Sequence, residues 1–267
     1  MAAYPTYVLQ LLLSTIFLIF AGSSASAADF GIEHGTAVVV LRSPKAIYAA
    51  VDSKEVDTVY RDGKQSVAES QVCKIRKVGP YYSIVAGVMR GTNGFDAQQE
   101  VSSAYKPGDD LEKLSTALRE SVPQSLTPLL KSVLDTDPQM YAKNYAAQAA
   151  LHLTLIGSEQ NSPKVMVVEF QAVESTPGTV TMTTRTMSCP GDCPGPSVGY
   201  FLGAHEAVEE SVRRNPAILS KPDPDGVERL IGLEYASRPD IVGGPLSMLK
   251  IGSSGSTVLR NGACALN

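Results

Sequence analysis

Along the chain, dense β-branched and apolar runs alternate with stretches whose apolar residues recur at helical spacing. Residues 36–42 (Thr-Ala-Val-Val-Val-Leu-Arg) and 46–51 are the densest runs, and Ser43-Pro44-Lys45 between them reads as a turn. The pair is expected to form a buried hairpin. Residues 57–64 are polar, with a turn at Asp62-Gly63. Residues 71–78 and 82–89 read as a second hairpin around Gly79-Pro80. The period then changes: Asp109-Asp110-Leu111 opens a helix expected to reach Glu120, with acidic residues where the helix dipole favours them. Further helical segments are expected over 123–134 and from Pro138 to about Leu153, each with proline near its beginning. Strands return at 164–173 and 179–187 around Pro177-Gly178, and 198–202 predicts a short strand leading into a helix over 204–214. A helix over 225–237 and short strands near 247–251 and 257–259 close the chain. This order predicts an α+β fold of layered helices and sheet, and no internal repeat interrupts it.

The extreme N-terminus breaks the pattern. The first 28 residues carry no charged side chain, and a predominantly apolar stretch over 11–21 is followed by Gly22-Ser23-Ser24-Ala25-Ser26-Ala27. An apolar core of that length ending in Ala-Ser-Ala is expected to be an export signal cut after Ala27, although 1–7 lack the usual Lys or Arg. The stretch is short for a membrane span, which takes roughly 20 apolar residues. A retained N-terminal anchor is the competing reading. With cleavage the protein is expected to be periplasmic or secreted and to have no stable membrane association. The domain plan is therefore a signal over 1–27, a short pro-segment or linker over 28–35, and a single domain over 36–267.

The remaining composition excludes more than it identifies. The 267 residues carry a formal net charge of −4, which argues against a nucleic-acid partner needing a basic face. Export permits disulfides among Cys73, Cys189, Cys193 and Cys264. Cys189-Pro-Gly-Asp-Cys193 can close a tight loop and leave Cys73 with Cys264, but four cysteines allow three pairings and the spacing does not choose. One C-x3-C without a second ligand pair falls short of a zinc site. The three histidines, His34, His152 and His205, are scattered and form no Ser/His/Asp pattern.

Three blocks carry a resemblance. Residues 36–54 begin at a Gly35-Thr36 junction, run through two apolar strands and end in Ala-Val-Asp52-Ser53-Lys54, with Asp52 sixteen positions after Thr36. Cys73-Lys74-Ile75 is followed by Val85-Ala86-Gly87, and Arg238-Pro-Asp240-Ile-Val-Gly243-Gly244 follows the last expected helix. Together, over about 35–255, they resemble the proteasome β subunits and their bacterial relatives among the N-terminal-nucleophile (Ntn) hydrolases.

The resemblance implies a four-layer αββα sandwich and cleavage of the Gly35–Thr36 bond. Thr36 would be the nucleophile, with its freed α-amine as general base. Lys74 would lower the proton affinity of the nearby amine and hydroxyl, Asp52 would hold Lys74, the Gly87 N–H would stabilise the oxyanion, and Asp240 would support the site from behind. The implied reaction is hydrolysis of a peptide or another amide through an acyl-enzyme, with no cofactor and no metal. Ring assembly is suggested by the family, so a homo-oligomer joins the substrate as a candidate partner, although no residue demands it. The sequence departs from the family where Gly243 replaces one serine and Leu202-Gly203-Ala204 replaces a Ser-Gly-Ser. The alternative is a non-catalytic assembly or binding protein that keeps the fold and is never processed.

Overall fold

The computed structural model of the chain describes residues 30–61, 64–146 and 148–266, with the backbone alone described at 30, 33 and 34. The expected signal over 1–27, and Ala28 and Asp29 after it, lie outside the described residues. The strands are β1 (Phe30–His34), β2 (Ala37–Arg42), β3 (Ala46–Val51), β4 (Lys54–Arg61), β5 (Lys64–Gln71), β6 (Ile75–Val78), β7 (Tyr81–Gly87) and β8 (Arg90–Gly91). Helices α1 (Ala97–Ala104), α2 (Leu111–Thr136) and α3 (Pro138–Asn144) follow, then β9 (Ala149–Glu159), β10 (Ser162–Thr176), β11 (Thr179–Cys189) and β12 (Val198–Gly203). The chain closes with α4 (Glu206–Arg214), a 3-10 turn over Pro216–Leu219, α5 (Pro224–Ser237), β13 (Ser247–Gly252) and β14 (Gly255–Arg260).

Among the described residues all sheet pairings are antiparallel, in three sheets ordered β12-β2-β3-β13-β14, β11-β10-β9-β7-β6 and β5-β4-β1-β8. The expected hairpin is β2–β3, in register from Val38 opposite Val51 to Arg42 opposite Ile47. Period-two alternation sorts β2 into two faces. Val38 and Val40 join Ile47, Ile84, Ile156 and Val167 in one core, shared by residues of the two five-stranded sheets. Ala37, Val39 and Leu41 join Val208, Val227, Leu230 and Ile231 of α4 and α5 in another. A third core packs α2 and α1 on Val85, Leu151, Leu153, Leu155, Met166 and Phe170. The protein is therefore a mixed α and β fold built on antiparallel sheets.

Several sequence expectations are corrected. The separate helices expected over 111–120 and 123–134 are one 26-residue helix, α2, with Pro123 and Pro128 inside it. Its buried stripe of Leu111, Leu114, Leu118, Val122, Leu126, Leu129, Leu130 and Val133 runs unbroken at three- to four-residue spacing. An interior proline costs about 3 kcal/mol, whereas burying each large side chain contributes about 1.5–3 kcal/mol, so the stripe outweighs the two breaks. The helix expected to reach Leu153 stops at Asn144, and Ala149–Glu159 is a strand. There Leu151, Leu153 and Leu155 alternate with His152 and Thr154, a period of two. Of the polar stretch over 57–64, residues 57–61 lie in β4 and Lys64 opens its partner β5, where an exposed strand needs no apolar face. The expected turn at Asp62-Gly63 lies outside the described residues. Residues 30–34, expected to be linker, form a strand. The two disulfides are Cys73–Cys264 and Cys189–Cys193, one of the three pairings left open by the sequence.

Candidate active site

β1 and β2 are joined by Gly35 and Thr36, and what surrounds this joint is polar and sealed. Thr36, Asp52 and Lys74 are 2%, 1% and 1% exposed. Thr36 precedes β2, Asp52 follows β3 and Lys74 precedes β6, so the ends of three strands bring them together. Asp52 accepts from the Ala37 N–H at 2.9 Å and the Lys74 Nζ at 2.9 Å through Oδ1, and from the Lys54 and Gly243 N–H groups at 3.2 and 3.1 Å through Oδ2. One carboxylate thereby fastens β2, the start of β4, the Lys74 segment and the turn after α5. The Gly243 contact spans 191 positions. Serine is thus not needed at 243 to reach Asp52, because the backbone does it.

Lys74 Nζ donates to three acceptors: Asp52 Oδ1, the carbonyl of Gly35 at 2.6 Å and the carbonyl of Lys54. Three acceptors engage all three N–H groups of an ammonium, which a neutral amine could not supply. Burial pushes the Lys74 ammonium pKa down, with Asp52 opposing, and pushes the Asp52 carboxyl up, with Lys74 and two backbone N–H groups opposing. Each charge is tolerable at this depth because of its partner.

The Gly35 carbonyl receives a second donor, the Thr36 Oγ1 hydroxyl at 2.5 Å. A hydroxyl and an ammonium therefore converge on the carbonyl of the bond expected to break. Gly35 has φ +100°, and a Cβ there would lie 3.2 Å from the Ile241 carbonyl, so the joint takes a form that suits glycine. The Thr36 carbonyl accepts from the Ala204 N–H at 2.8 Å, and Gly203 (φ +73°) packs so closely that a Cβ would lie 1.9 Å from it. Sequence reading met Gly203 and Gly243 only as departures from the family's serines and missed them as site residues in their own right, since a glycine ending a strand or within a turn is a common signal.

The remaining expected residues are less closely joined. Gly87 ends β7 with φ +97°, and a Cβ would lie 2.3 Å from the Ala150 carbonyl, which accounts for glycine on packing grounds. Among the described residues, the hydrogen bonds to the Gly35 carbonyl come from Thr36 and Lys74 and none from Gly87. Asp240 is exposed and forms a two-pronged pair with Arg238 at 3.2 Å, which lowers its carboxyl pKa. Its turn reaches the site through Pro239, whose carbonyl accepts from Lys54 Nζ at 2.9 Å, and through Gly243. Tyr235 ties the turn to α5 by donating to the Gly244 carbonyl at 3.0 Å.

A cavity of about 540 Å³ beside the site is lined by Lys54, Glu69, Gln71, Pro239 and Gly243, and Thr36 is not among its lining residues. Among the described residues, no group of three or more His, Cys, Asp and Glu side chains is placed to hold a metal. No described helix is long and apolar enough to cross a membrane.

Two histidines lie near the sheet ends that build the site. His152 stands opposite Ala86, next to Gly87, with Nε2 3.8 Å from Glu169, and the ring of His205 contacts the Gly203 carbonyl. Burial, with His205 adding to it, lowers the His152 pKa from 6.5 to about 4. The unfolded chain therefore binds a proton that the folded chain refuses between those values, so stability is full above pH 6.5 and falls on acidification toward pH 4. The contribution at stake is about 3 kcal/mol. Urea midpoints measured from pH 7 to 4 should fall in the native protein and fall less in His152→Gln.

Comparison with protein-family models finds no match, and comparison with curated proteins finds none either.

Proposed function

We propose that the chain is an exported amide-bond hydrolase, most simply a peptidase, that uses Thr36 as an N-terminal nucleophile after cutting its own Gly35–Thr36 bond. The reading includes the αββα sandwich of the proteasome-like Ntn hydrolases, and the three cores are compatible with those layers. The observation that carries it is the convergence of the Thr36 hydroxyl and the Lys74 ammonium on the Gly35 carbonyl. In the uncut chain Thr36 is closed to outside substrates, and that carbonyl is the one beside it.

In the proposed first reaction Thr36 Oγ adds to the Gly35 carbonyl carbon while Lys74 stabilises the charge forming on its oxygen, a contribution of about 2.7–4 kcal/mol for one such donor. The C–N bond then breaks, the Thr36 nitrogen takes up the hydroxyl proton and Gly35 becomes an ester on Oγ. Water hydrolyses the ester and leaves a free Thr36 α-amine. That amine is the general base for later substrates, and Lys74, held by Asp52, keeps its proton affinity low. Gly87 and Asp240 keep their proposed supporting roles for the substrate-bound stage. Incubation of the mature protein with a threonine-directed electrophile should add one equivalent of mass to the Thr36 peptide. Unmodified Thr36 after prolonged exposure would count against the hydrolase.

A further inference from the structure

The segment before the candidate nucleophile is an inner strand. β1 pairs with β4 from Phe30 opposite Tyr60 to His34 opposite Val56, and with β8 through Ile32 opposite Gly91 and Glu33 opposite Arg90. The Gly31 N–H donates to Thr92 Oγ1 at 3.1 Å, and the Thr92 N–H returns a bond to the Gly31 carbonyl at 3.2 Å. Ile32 is fully buried in the core that includes Val88, Met89 and Phe95. Glu55 of β4 and Arg90 of β8, 3.2 Å apart, join the two strands that flank β1. At its end the Gly35 carbonyl rests 2.6 Å from Lys74 Nζ.

We propose that, after hydrolysis of the Gly35–Thr36 bond, residues 30–35 remain in place as a bound peptide, and that their groove is a binding site for extended peptides ending in a free carboxylate. The proposal rests on the hydrolase reading above. Hydrolysis adds water across the acyl bond: the Thr36 oxygen leaves with a proton, and the fragment ends in the Gly35 carboxylate. A neutral carbonyl beside the Lys74 ammonium thus becomes an anion, so cutting strengthens the contact at the cut end. Both strand ladders and the burial of Ile32 are untouched by the cut. The groove selects a small terminal residue, because Gly35 sits at φ +100° with the Ile241 carbonyl 3.2 Å from where a Cβ would be. It also selects an aliphatic side chain three positions earlier, where Ile32 lies. Thr36 is uncovered each time this peptide dissociates, so the electrophile labels it slowly but to completion on prolonged exposure, and carboxylate-ended products of other substrates compete for the same place.

Mass spectrometry of the purified, processed protein tests this. Under denaturing conditions two masses are expected, one of them a fragment ending at Gly35; under native conditions one mass equal to both is expected. An isotopically labelled synthetic peptide of residues 28–35 with a free carboxylate should exchange into the complex. The same peptide ending in a carboxamide, or with alanine in place of Ile32, should exchange at least tenfold less. A cut protein that lacks the fragment under native conditions and takes up no acid peptide overturns the proposal and leaves the hydrolase reading standing. Equal uptake of acid and carboxamide peptides also overturns it. A chain still joined at Gly35–Thr36 under denaturing conditions overturns both.

Discussion

Thr36→Ala yields a folded protein in which residues 35 and 36 stay joined. The hydroxyl is the group placed against the Gly35 carbonyl, at 2.5 Å, and alanine offers nothing to attack with. Losing a nucleophile costs on the order of 10⁶-fold in rate, so the cut product should fall from complete to undetectable. Stability should fall little. The hydroxyl bonds its own neighbour's carbonyl rather than a distant element, and the methyl removed with it contributes about 0.8 kcal/mol if fully buried. Thr36→Ser, which keeps the hydroxyl, should still be cut. Intact mass, together with a thermal melt on each variant, separates loss of chemistry from loss of fold.

Breaking the Asp52–Lys74 pair should have the largest effect on stability. Both side chains are fully buried and 2.9 Å apart, and removing one partner strands the other's charge, at a cost of about 3–5 kcal/mol. Asp52→Ala also frees the N–H groups of Ala37 and Gly243, while the Lys54 N–H keeps the Gly243 carbonyl at 2.9 Å, so it should be worse than Lys74→Met. Asp52→Asn combined with Lys74→Met should cost less than the sum of the single changes, since no charge is then left unpaired. That double variant should remain uncut even where its urea midpoint recovers. Cutting in the double variant would mean that the ammonium on the Gly35 carbonyl is not needed.

Thr36, Asp52 and Lys74 were legible through the resemblance carried by three sequence blocks in order, not through residue type. Taken alone, Asp52 reads as a strand cap and Lys74 as an exposed strand lysine, and their burial came only with the structure. The β2–β3 hairpin was legible from local pattern, because both runs are apolar and the turn between them is marked by proline. What was not legible depends on long-range pairing. Nothing in Phe30–His34 announces an inner strand, because its partners β4 and β8 are polar or very short and supply pairing rather than pattern. Gly203 and Gly243 act through backbone atoms, which leave no side-chain signature. Asp240 sits in the expected turn, yet Arg238 two residues away claims its carboxylate. The α2 prolines misled because local helix rules weigh a break that a continuous buried stripe overrides.

The measurement that bears most directly on Thr36 is the intact mass of the mature wild-type protein under denaturing conditions. A main species beginning at Thr36 is predicted, with Gly35 as the last residue of a separate fragment. A mature chain that still carries Gly35 joined to Thr36 would contradict the account.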